Sequence, residues 1–417
     1  MTTWRIALMK NIAIAAALGT VLCVSTPVLA EVKASDEVSL AQIMQLLKSQ
    51  QQEIEALKKQ LASTNEKVVI SEQKIEATAQ TVESVATASD GLAKVAAWAD
   101  KTSIGGYGEL HYNDNKGKDD QVDIHRFVLY VEHEFNENLR FFSEVELEHS
   151  IAGDGKSGEI EMEQAYIEWD YAKNHTATFG QFLIPIGLIN ETHEPETFYG
   201  VERNSVEKNI IPATWWEAGI MLGGEVAPGF TYDLAVTSGL NTPTSGKNAY
   251  LPRKGRQKVS KATAEEFAYT GRLSYTAIEG LALGATVMYQ EDIAQNNGSD
   301  DASALLWEAH AAYQVGNFDL RALYAMWDID GADAEALGRD EQDGWYIQPS
   351  YKLTPKLGVF ARYSEWDNNA GDNADTEVEE WDLGFNFWLV ENVVFKADWA
   401  DQKNGHDSFN LGIGWSF

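Results

Sequence analysis

The sequence contains a single cysteine among 417 residues, Cys23. That residue falls within an N-terminal segment predicted to be removed, so no disulfide or thiol chemistry is expected of the mature chain. Long apolar runs are also scarce. Only the extreme N-terminus has one, and this excludes a transmembrane helix from the rest of the chain. Basic residues number 32 against 64 acidic ones, and the formal net charge of −32 argues against nucleic acid as a partner.

The N-terminus has the three parts of a secretory signal peptide. Arg5 and Lys10 supply the positive charge, residues 11–24 are mostly Ala, Ile, Leu and Val, and residues 28–30 place small side chains at the cleavage position. We therefore predict a signal peptide over residues 1–30 and export of the mature chain.

A helical segment with a seven-residue repeat follows, over residues 39–88. The apolar a positions are Leu40, Leu47, Ile54, Leu61, Val68, Ile75 and Val82. Polar residues such as Gln50 interrupt the d positions. The repeat predicts a short coiled coil within residues 31–90, most simply a trimer, followed by a linker over residues 91–101. An amphipathic or frayed helix without a specific partner is the alternative.

From Thr102 onward the period changes from seven to two. The last ten residues show this most clearly. One face carries Phe409, Leu411, Ile413, Trp415 and Phe417, whereas the other carries Asn410, Gly412, Gly414 and Ser416. A strand with large apolar side chains on one face and small polar ones on the other is expected between lipid and water.

Sixteen segments have this character. We predict strands near residues 102–113, 122–135, 139–149, 159–171, 176–183, 215–226, 230–239, 265–277, 281–291, 303–314, 317–328, 344–352, 356–366, 378–389, 393–400 and 408–417. Short turns alternate with long loops along the chain, as in outer-membrane barrels. The prediction is an all-β transmembrane barrel of about 16 antiparallel strands over residues 102–417, preceded by the N-terminal α-helical coiled coil. Closure leaves no sheet edge exposed to lipid.

One connection, residues 183–214, differs from the others. It contains Pro185, Pro195 and Pro212 and mixes apolar with charged residues, where the other long connections have the Asp, Asn and Gly content of surface loops. Long structured loops are usually functional. We predict that this segment folds inward and narrows the lumen, with a lid packed on the rim as the alternative. Its charged candidates for the constriction are Glu191, Glu194, Glu196, Arg203 and Lys208.

The phase of the strands selects further candidates on the inner wall. Alternation turns Arg126, Arg140, Glu144 and Glu146 toward the lumen, because a charged residue on the lipid face costs about 2–4 kcal/mol near the midplane. Their simplest role is to pair with neighbouring charges. Together with the charges of the loop, they could also filter solutes by charge.

Several stretches resemble one known family when taken in their order along the chain. They are GGYGELHYN (105–113), HRFVLYVEHEFN (125–136), FFSEVELEHS (141–150), EQAYIEWD (163–170) and GQFLIPIGLINETHEP (180–195). The chain resembles the phosphate-selective porin O/P family, and the resemblance implies a trimeric, sixteen-stranded outer-membrane porin. Selective members of that family carry a ladder of arginines and pore lysines. Arg126, Arg140 and Arg203 match such residues best, but many pore-facing candidates here are Glu.

These patterns together predict an outer-membrane porin that passes small polar or charged solutes by diffusion. No catalytic constellation, metal motif or cofactor is indicated. The expected partners are the lipid bilayer with its lipopolysaccharide, the permeating solutes and two further copies of the chain, with the N-terminal segment in the periplasm. The alternatives are a channel specific for phosphate or another small nutrient, and a structural tether or adhesin that uses the coiled coil.

Overall fold

The computed structural model describes residues 40–153, 155–296, 301–403 and 405–417. The predicted signal peptide, residues 1–30, lies outside the described residues. The chain divides into two compact units, Met1–Gly91 and Leu92–Phe417.

A 60-residue helix, α1 (Leu40–Ala99), covers the heptad segment. Its heptad a positions are all exposed in the single chain. The helix continues through Gly91, so residues 91–99 of the predicted linker are helical. One glycine costs a helix interior about 1 kcal/mol, and the helix-forming residues that follow Gly91, among them Leu92 and Lys94, offset this cost. No helix in the described part of the chain is long and apolar enough to span a membrane.

Sixteen antiparallel strands form the second unit. They are β1 (Thr102–Asn115), β2 (Gln121–Asn136), β3 (Leu139–Glu148), β4 (Ile160–Ala172), β5 (His175–Leu183), β6 (Trp216–Ala227), β7 (Phe230–Thr237), β8 (Ala268–Tyr275), β9 (Leu281–Gln290), β10 (Ser303–Val315), β11 (Phe318–Asp330), β12 (Glu341–Thr354), β13 (Leu357–Asp367), β14 (Val378–Val390), β15 (Val393–Gln402) and β16 (Ser408–Ser416). Each strand pairs with its neighbour in sequence, and β1 pairs with β16 to close the barrel. The predicted strand ends differ from these by at most three residues.

The barrel wall is polar inside and apolar outside, the reverse of a soluble protein. In β14 the buried side chains include Glu380, Asp382 and Asn386, whereas Leu383 and Phe385 between them are exposed. Alternation of this kind is stable only when the outer face meets lipid and the inner face meets water or other polar groups. The wall therefore encloses a polar lumen.

Short turns and long loops lie at opposite ends of the barrel. The short turns include residues 137–138, 173–174, 228–229, 316–317, 355–356 and 391–392. Gly229 and Gly316 have φ of 75° and 59°, the left-handed region that such tight turns require. Residues 183–214 leave the opposite end and contain a short helix, α2 (Ser205–Asn209). A second short helix, α3 (Ala332–Glu335), follows β11.

Residues 240–264, the long connection between β7 and β8, also turn inward. Leu240 and Tyr250 are buried in the same apolar cluster as Ile186 and Ile211 of the 183–214 segment. The few apolar side chains of this connection therefore pack against another loop inside the barrel.

Candidate constriction site

The 183–214 segment, here called the inward loop, lies across the lumen. Asn386 of β14 donates a hydrogen bond to the Phe198 carbonyl (2.9 Å), and Trp327 of β11 donates one to the Ile210 carbonyl (2.8 Å). Further polar contacts join the loop to β1, β4, β8, β10, β12, β13, β15 and β16. A lid on the rim could not reach so many inner faces, so the loop narrows the channel from within.

Glu207 fastens the inward loop to itself and to the wall. Its buried carboxylate accepts hydrogen bonds from the backbone N–H groups of Leu188 (3.0 Å) and Ile189 (2.9 Å) and from the Tyr346 hydroxyl of β12 (2.9 Å). The Asn204 side chain caps α2 by accepting from the Glu207 N–H (2.8 Å). One carboxylate thus joins the start of the loop, its helix and the barrel.

Asn190 performs a similar role between the two ends of the loop. Its side-chain amide donates to the carbonyls of Ile184 (2.8 Å) and Trp215 (2.9 Å), and its carbonyl accepts from the Trp215 N–H (2.7 Å). Because Asn190 is fully buried, water cannot replace these bonds. The loop is therefore a fixed part of the channel wall.

A narrow cavity of about 150 Å³ lies between the inward loop, residues 240–264 and the wall formed by β1 to β4. Its basic lining residues are Arg126, Arg203, Lys208, Arg253, Arg256 and Lys258. Its acidic lining residues are Glu109, Glu146, Glu148, Glu161, Glu163 and Glu202. Charges of both signs therefore converge in the tightest part of the lumen.

Some of these charges neutralise one another. Arg126 pairs with Glu109 (Nε to Oε1, 2.8 Å) and Glu146 (Nη1 to Oε1, 3.3 Å). Lys258 pairs with Glu161, and with Glu159 at 2.8 Å. Each of these bases contacts two carboxylates, so each cluster retains one formal negative charge.

Three arginines of the narrow cavity lack a carboxylate partner among the described residues. Arg203 donates to the Thr214 hydroxyl, Arg253 to the Ala213 carbonyl (3.2 Å) and Arg256 to the Pro212 carbonyl (3.1 Å). Neutral acceptors hold these guanidinium groups in place without cancelling their charge.

The burial and crowding of these arginines lower their pKa values. Burial, followed by repulsion from Arg256 and Arg203, lowers the pKa of Arg253. Burial also lowers the pKa of Arg203, and the charge of Arg126 lowers it further. An arginine nonetheless stays protonated at neutral pH. Repulsion from neighbouring arginines thus adds to the effect of burial on Arg203 and Arg253.

A wider cavity of about 750 Å³ lies beside the narrow one. The sequence-predicted residues Glu144, Glu191, Glu194 and Glu196 line it. Glu191 accepts a bidentate hydrogen bond from Arg272 of β8, whose guanidinium also lies 2.8 Å from Asp233. Glu196 accepts from the Ser416 hydroxyl.

The structure thus divides the nine sequence-predicted residues among three places. Arg126, Glu146, Arg203 and Lys208 line the narrow cavity, and the four glutamates named above line the wider one. Arg140 lines neither, because it sits beside the short turn at residues 137–138 and pairs with Glu168 and with Asp170 at 2.9 Å.

Sequence reasoning missed the basic residues of the second inward segment. Arg253, Arg256 and Lys258 belong to the stretch PRKGRQK at residues 252–258, in which four of seven residues are basic. Such a density of basic residues is unusual in a chain with twice as many acidic as basic residues. The composition of this stretch was therefore a signal that sequence analysis could have used. Its burial was not readable, because that depends on packing against the inward loop.

A closed barrel with an apolar outer face, a polar lumen and a loop fixed inside it defines a porin, a channel for passive diffusion across the outer membrane. The chain belongs to the family of phosphate-selective porins O and P, whose family model matches residues 103–409. It is an outer-membrane porin that passes small solutes.

Comparison with individual proteins agrees with this assignment. An uncharacterized protein of Aquifex aeolicus (strain VF5) is 30% identical over 349 residues, which are 76% of this chain and 80% of that protein. Among solved structures, the outer-membrane channel DcaP of Acinetobacter baumannii has a TM-score of 0.54 at 14% identity, covering 76% of this chain and 97% of that one. The anion-selective porin of Comamonas acidovorans gives a TM-score of 0.54 at 13% identity, covering 76% and 99%. At such identities these structures show a shared fold.

Proposed function

We propose that this porin favours small anions, with oxyanions such as phosphate the strongest candidates. The observation that carries the proposal is the set of arginines in the narrow cavity that lack carboxylate partners, Arg203, Arg253 and Arg256. Fixed positive charge in a confined site of low dielectric raises the local concentration of anions.

The placement of the charges, and not their number, supports this direction. Six basic and six acidic side chains line the narrow cavity, so their formal charges balance. Four of the acidic groups contact a basic side chain, whereas Arg203, Lys208, Arg253 and Arg256 form no ion pair with a carboxylate among the described residues. The basic groups are therefore the more available to a permeating ion.

The first test is the reversal potential of the purified protein in a planar bilayer under a KCl gradient. We expect a potential of anion sign that shrinks as the mean salt concentration rises, because salt screens the cavity charges. Added phosphate should lower the chloride current. A potential of cation sign would contradict the proposal and would mean that the acidic residues control the constriction.

Two groups of sequence-predicted residues have different parts in this proposal. The first group lies at the narrow cavity, where the charge of a solute affects its passage, and consists of Arg126, Arg203, Lys208 and Glu146. Glu144, Glu191, Glu194 and Glu196 set the charge of the wider cavity that adjoins it. Arg140 pairs with its neighbours and supports the wall.

We also propose that α1 assembles three chains through a periplasmic coiled coil. Seven apolar a positions, from Leu40 to Val82, are exposed in the single chain, and an isolated helix of this kind gains stability only by burying such a seam. The N-terminus enters β1 at the short-turn end of the barrel, which faces the periplasm in porins. The long loops then face the lipopolysaccharide.

Deleting residues 40–88 should separate assembly from conduction. We expect the truncated protein to form fewer trimers in light scattering of detergent-purified samples, while each barrel keeps its single-channel conductance. Trimers that persist at the same concentration would show that the barrel wall carries the assembly. Loss of conductance together with normal barrel folding would favour the tether.

A further inference from the structure

One cluster of buried side chains has an arrangement that the proposed ion selectivity does not explain. It consists of Glu144 on β3, Glu163 on β4 and His193 on the inward loop, whose relative exposures are 5%, 1% and 3%. One carboxylate oxygen of each glutamate and one ring nitrogen of the histidine all lie within 4.8 Å of one another. Glu163 faces the narrow cavity, whereas Glu144 and His193 face the wider one.

An irregularity of the sheet creates this cluster. Glu144 pairs with Gln164, but the next residue, Val145, pairs with Met162, so Glu163 is an extra residue in β4. A β-bulge of this kind re-aims a side chain, and bulges are frequent beside functional sites. Because of this bulge, the side chains of both Glu163 and Gln164 point inward. In a regular strand, one of the two would point to the lipid.

Three polar atoms of the cluster lack hydrogen-bond partners among the described residues. Neither carboxylate oxygen of Glu163 receives a hydrogen bond from any described residue, and neither does Nε2 of His193. The His193 Nδ1 atom lies 3.0 Å from the Asn190 carbonyl, which can only accept, so Nδ1 carries the ring proton. The bare Nε2 therefore presents its lone pair to the Glu163 Oε2 atom, 3.5 Å away.

Two electron-pair donors facing each other in a buried place are stable only with a proton or a cation between them. No guanidinium group among the described residues lies within ion-pair distance of Glu163. Arg126 pairs with Glu109 and Glu146, and Arg203 donates to the Thr214 hydroxyl.

We propose that Glu144, Glu163 and His193 bind one divalent transition-metal ion of the Zn²⁺ class. Zn²⁺ takes nitrogen and oxygen ligands at about 2.0–2.1 Å in a tetrahedron, which places neighbouring ligand atoms about 3.4 Å apart. The separation of 3.5 Å between His193 Nε2 and Glu163 Oε2 fits this spacing. Three protein ligands leave the fourth position to water from the wider cavity.

The surroundings orient these ligands as they do in known metal sites. Asn190 fixes the tautomer of His193, and the Gln164 amide donates to the Glu144 carboxylate at 2.6 Å. Ca²⁺ and Mg²⁺ fit less well, because they prefer six or more oxygen ligands or several retained waters. An imidazole with two carboxylates suits the borderline ions.

The metal would join the inward loop to the β3–β4 wall. His193 belongs to the loop and the two glutamates to the barrel, so coordination adds a cross-link on the side opposite Glu207 and Tyr346. The ion is then a structural part of the constriction and not a permeating solute. The inference does not depend on the anion preference proposed above.

Two other groups with ligand-like atoms provide the control. One consists of His111, His125 and Glu202, the other of Asp123, His125 and His149. In these groups the rings already contact carboxylates, as His149 does with Asp123 at 2.7 Å. Because both share His125, the single substitution His125→Gln weakens both without touching the proposed site.

The experiment measures Zn²⁺ on the full chain purified in detergent. The protein is stripped with EDTA, dialysed against Zn²⁺ and analysed by elemental mass spectrometry and titration calorimetry. We expect one tight Zn²⁺ per chain in the wild type and in His125→Gln. The substitutions Glu163→Gln and His193→Gln should each weaken binding by at least about 100-fold, more than the loss of an orienting group alone.

Thermal unfolding in the same samples gives a second readout. Zn²⁺ should raise the unfolding temperature of the wild type and leave that of Glu163→Gln unchanged. Absence of Zn²⁺ from the reloaded wild type would overturn the proposal and would mean that protons neutralise the cluster. Loss of binding in His125→Gln but not in His193→Gln would also overturn it, since the ion would then sit on the other histidines. If Glu163→Gln fails to fold, His193→Gln, which leaves the wall intact, decides the question.

Discussion

Replacing Arg203, Arg253 and Arg256 together by glutamine shifts the reversal potential of the channel from anion toward cation sign. The substitution removes three positive charges that form no ion pair with a carboxylate in the described part of the chain. It leaves Arg126 and Lys258 in their ion pairs, so Glu148 and Glu163 then dominate the field against Lys208 alone. One unit charge at 4 Å is worth about 4 kcal/mol at an effective dielectric constant of 20. The expected fall in the anion-to-cation permeability ratio is therefore about tenfold or more, since about 1.4 kcal/mol suffices for tenfold.

The measurement is the reversal potential under a KCl gradient, compared with a control of equal charge. Lys247, Lys254 and Lys261 belong to the same connection between β7 and β8, but they are exposed and do not line the narrow cavity. Replacing these three lysines by glutamine changes the net charge by the same amount. We expect this control to keep the wild-type sign. Anion preference that survives in the arginine variant would show that other groups set the selectivity.

The second large effect concerns the fastening of the inward loop. Glu207→Ala leaves the N–H groups of Leu188 and Ile189 and the hydroxyl of Tyr346 without their acceptor. Each buried donor left unpaired costs about 1–3 kcal/mol. We expect the loop to leave the lumen for part of the time, which raises the mean single-channel conductance and its noise while the barrel remains folded.

Single-channel recording checks this result against a substitution in the same loop. Glu194 is a half-buried carboxylate whose side chain accepts no hydrogen bond from a described residue. Glu194→Ala removes the same charge and the same atoms without releasing the loop, so its recordings should show no increase in noise. Equal recordings from the two variants would mean that the remaining wall contacts suffice to hold the loop.

The strands were predictable from sequence because their pattern is local. A period of two with aromatic residues on one face identifies β14 and β16 without reference to any residue distant in sequence. All sixteen strands of the closed barrel follow the same rule. The same phase correctly turned Arg126 and Glu146 toward the lumen, where they pair. Alternation gives the face of a residue but not its height along the barrel. For this reason Arg140 was placed in the constriction, although it lies beside a short turn.

The second inward segment and the Glu144–Glu163–His193 cluster could not be predicted, for a different physical reason. Tyr250 is buried because apolar residues of another loop, far away in sequence, occupy the lumen. Glu163 meets His193 because one bulge shifts the register of β4. Neither the packing of two loops nor a single bulge leaves a periodic trace in the sequence.

The inward loop also has a bearing on the order in which the protein folds. It bonds to β1 through Glu202 and His111 (3.1 Å) and to β16 through Glu196 and Ser416. These are the first and last strands, and their pairing completes the barrel. The inward loop can therefore make all of its wall contacts only after the two ends of the sheet have met, and it then joins β1 and β16 from the inside. We expect completion of the constriction to be a late step of folding, and an unclosed barrel to lack it.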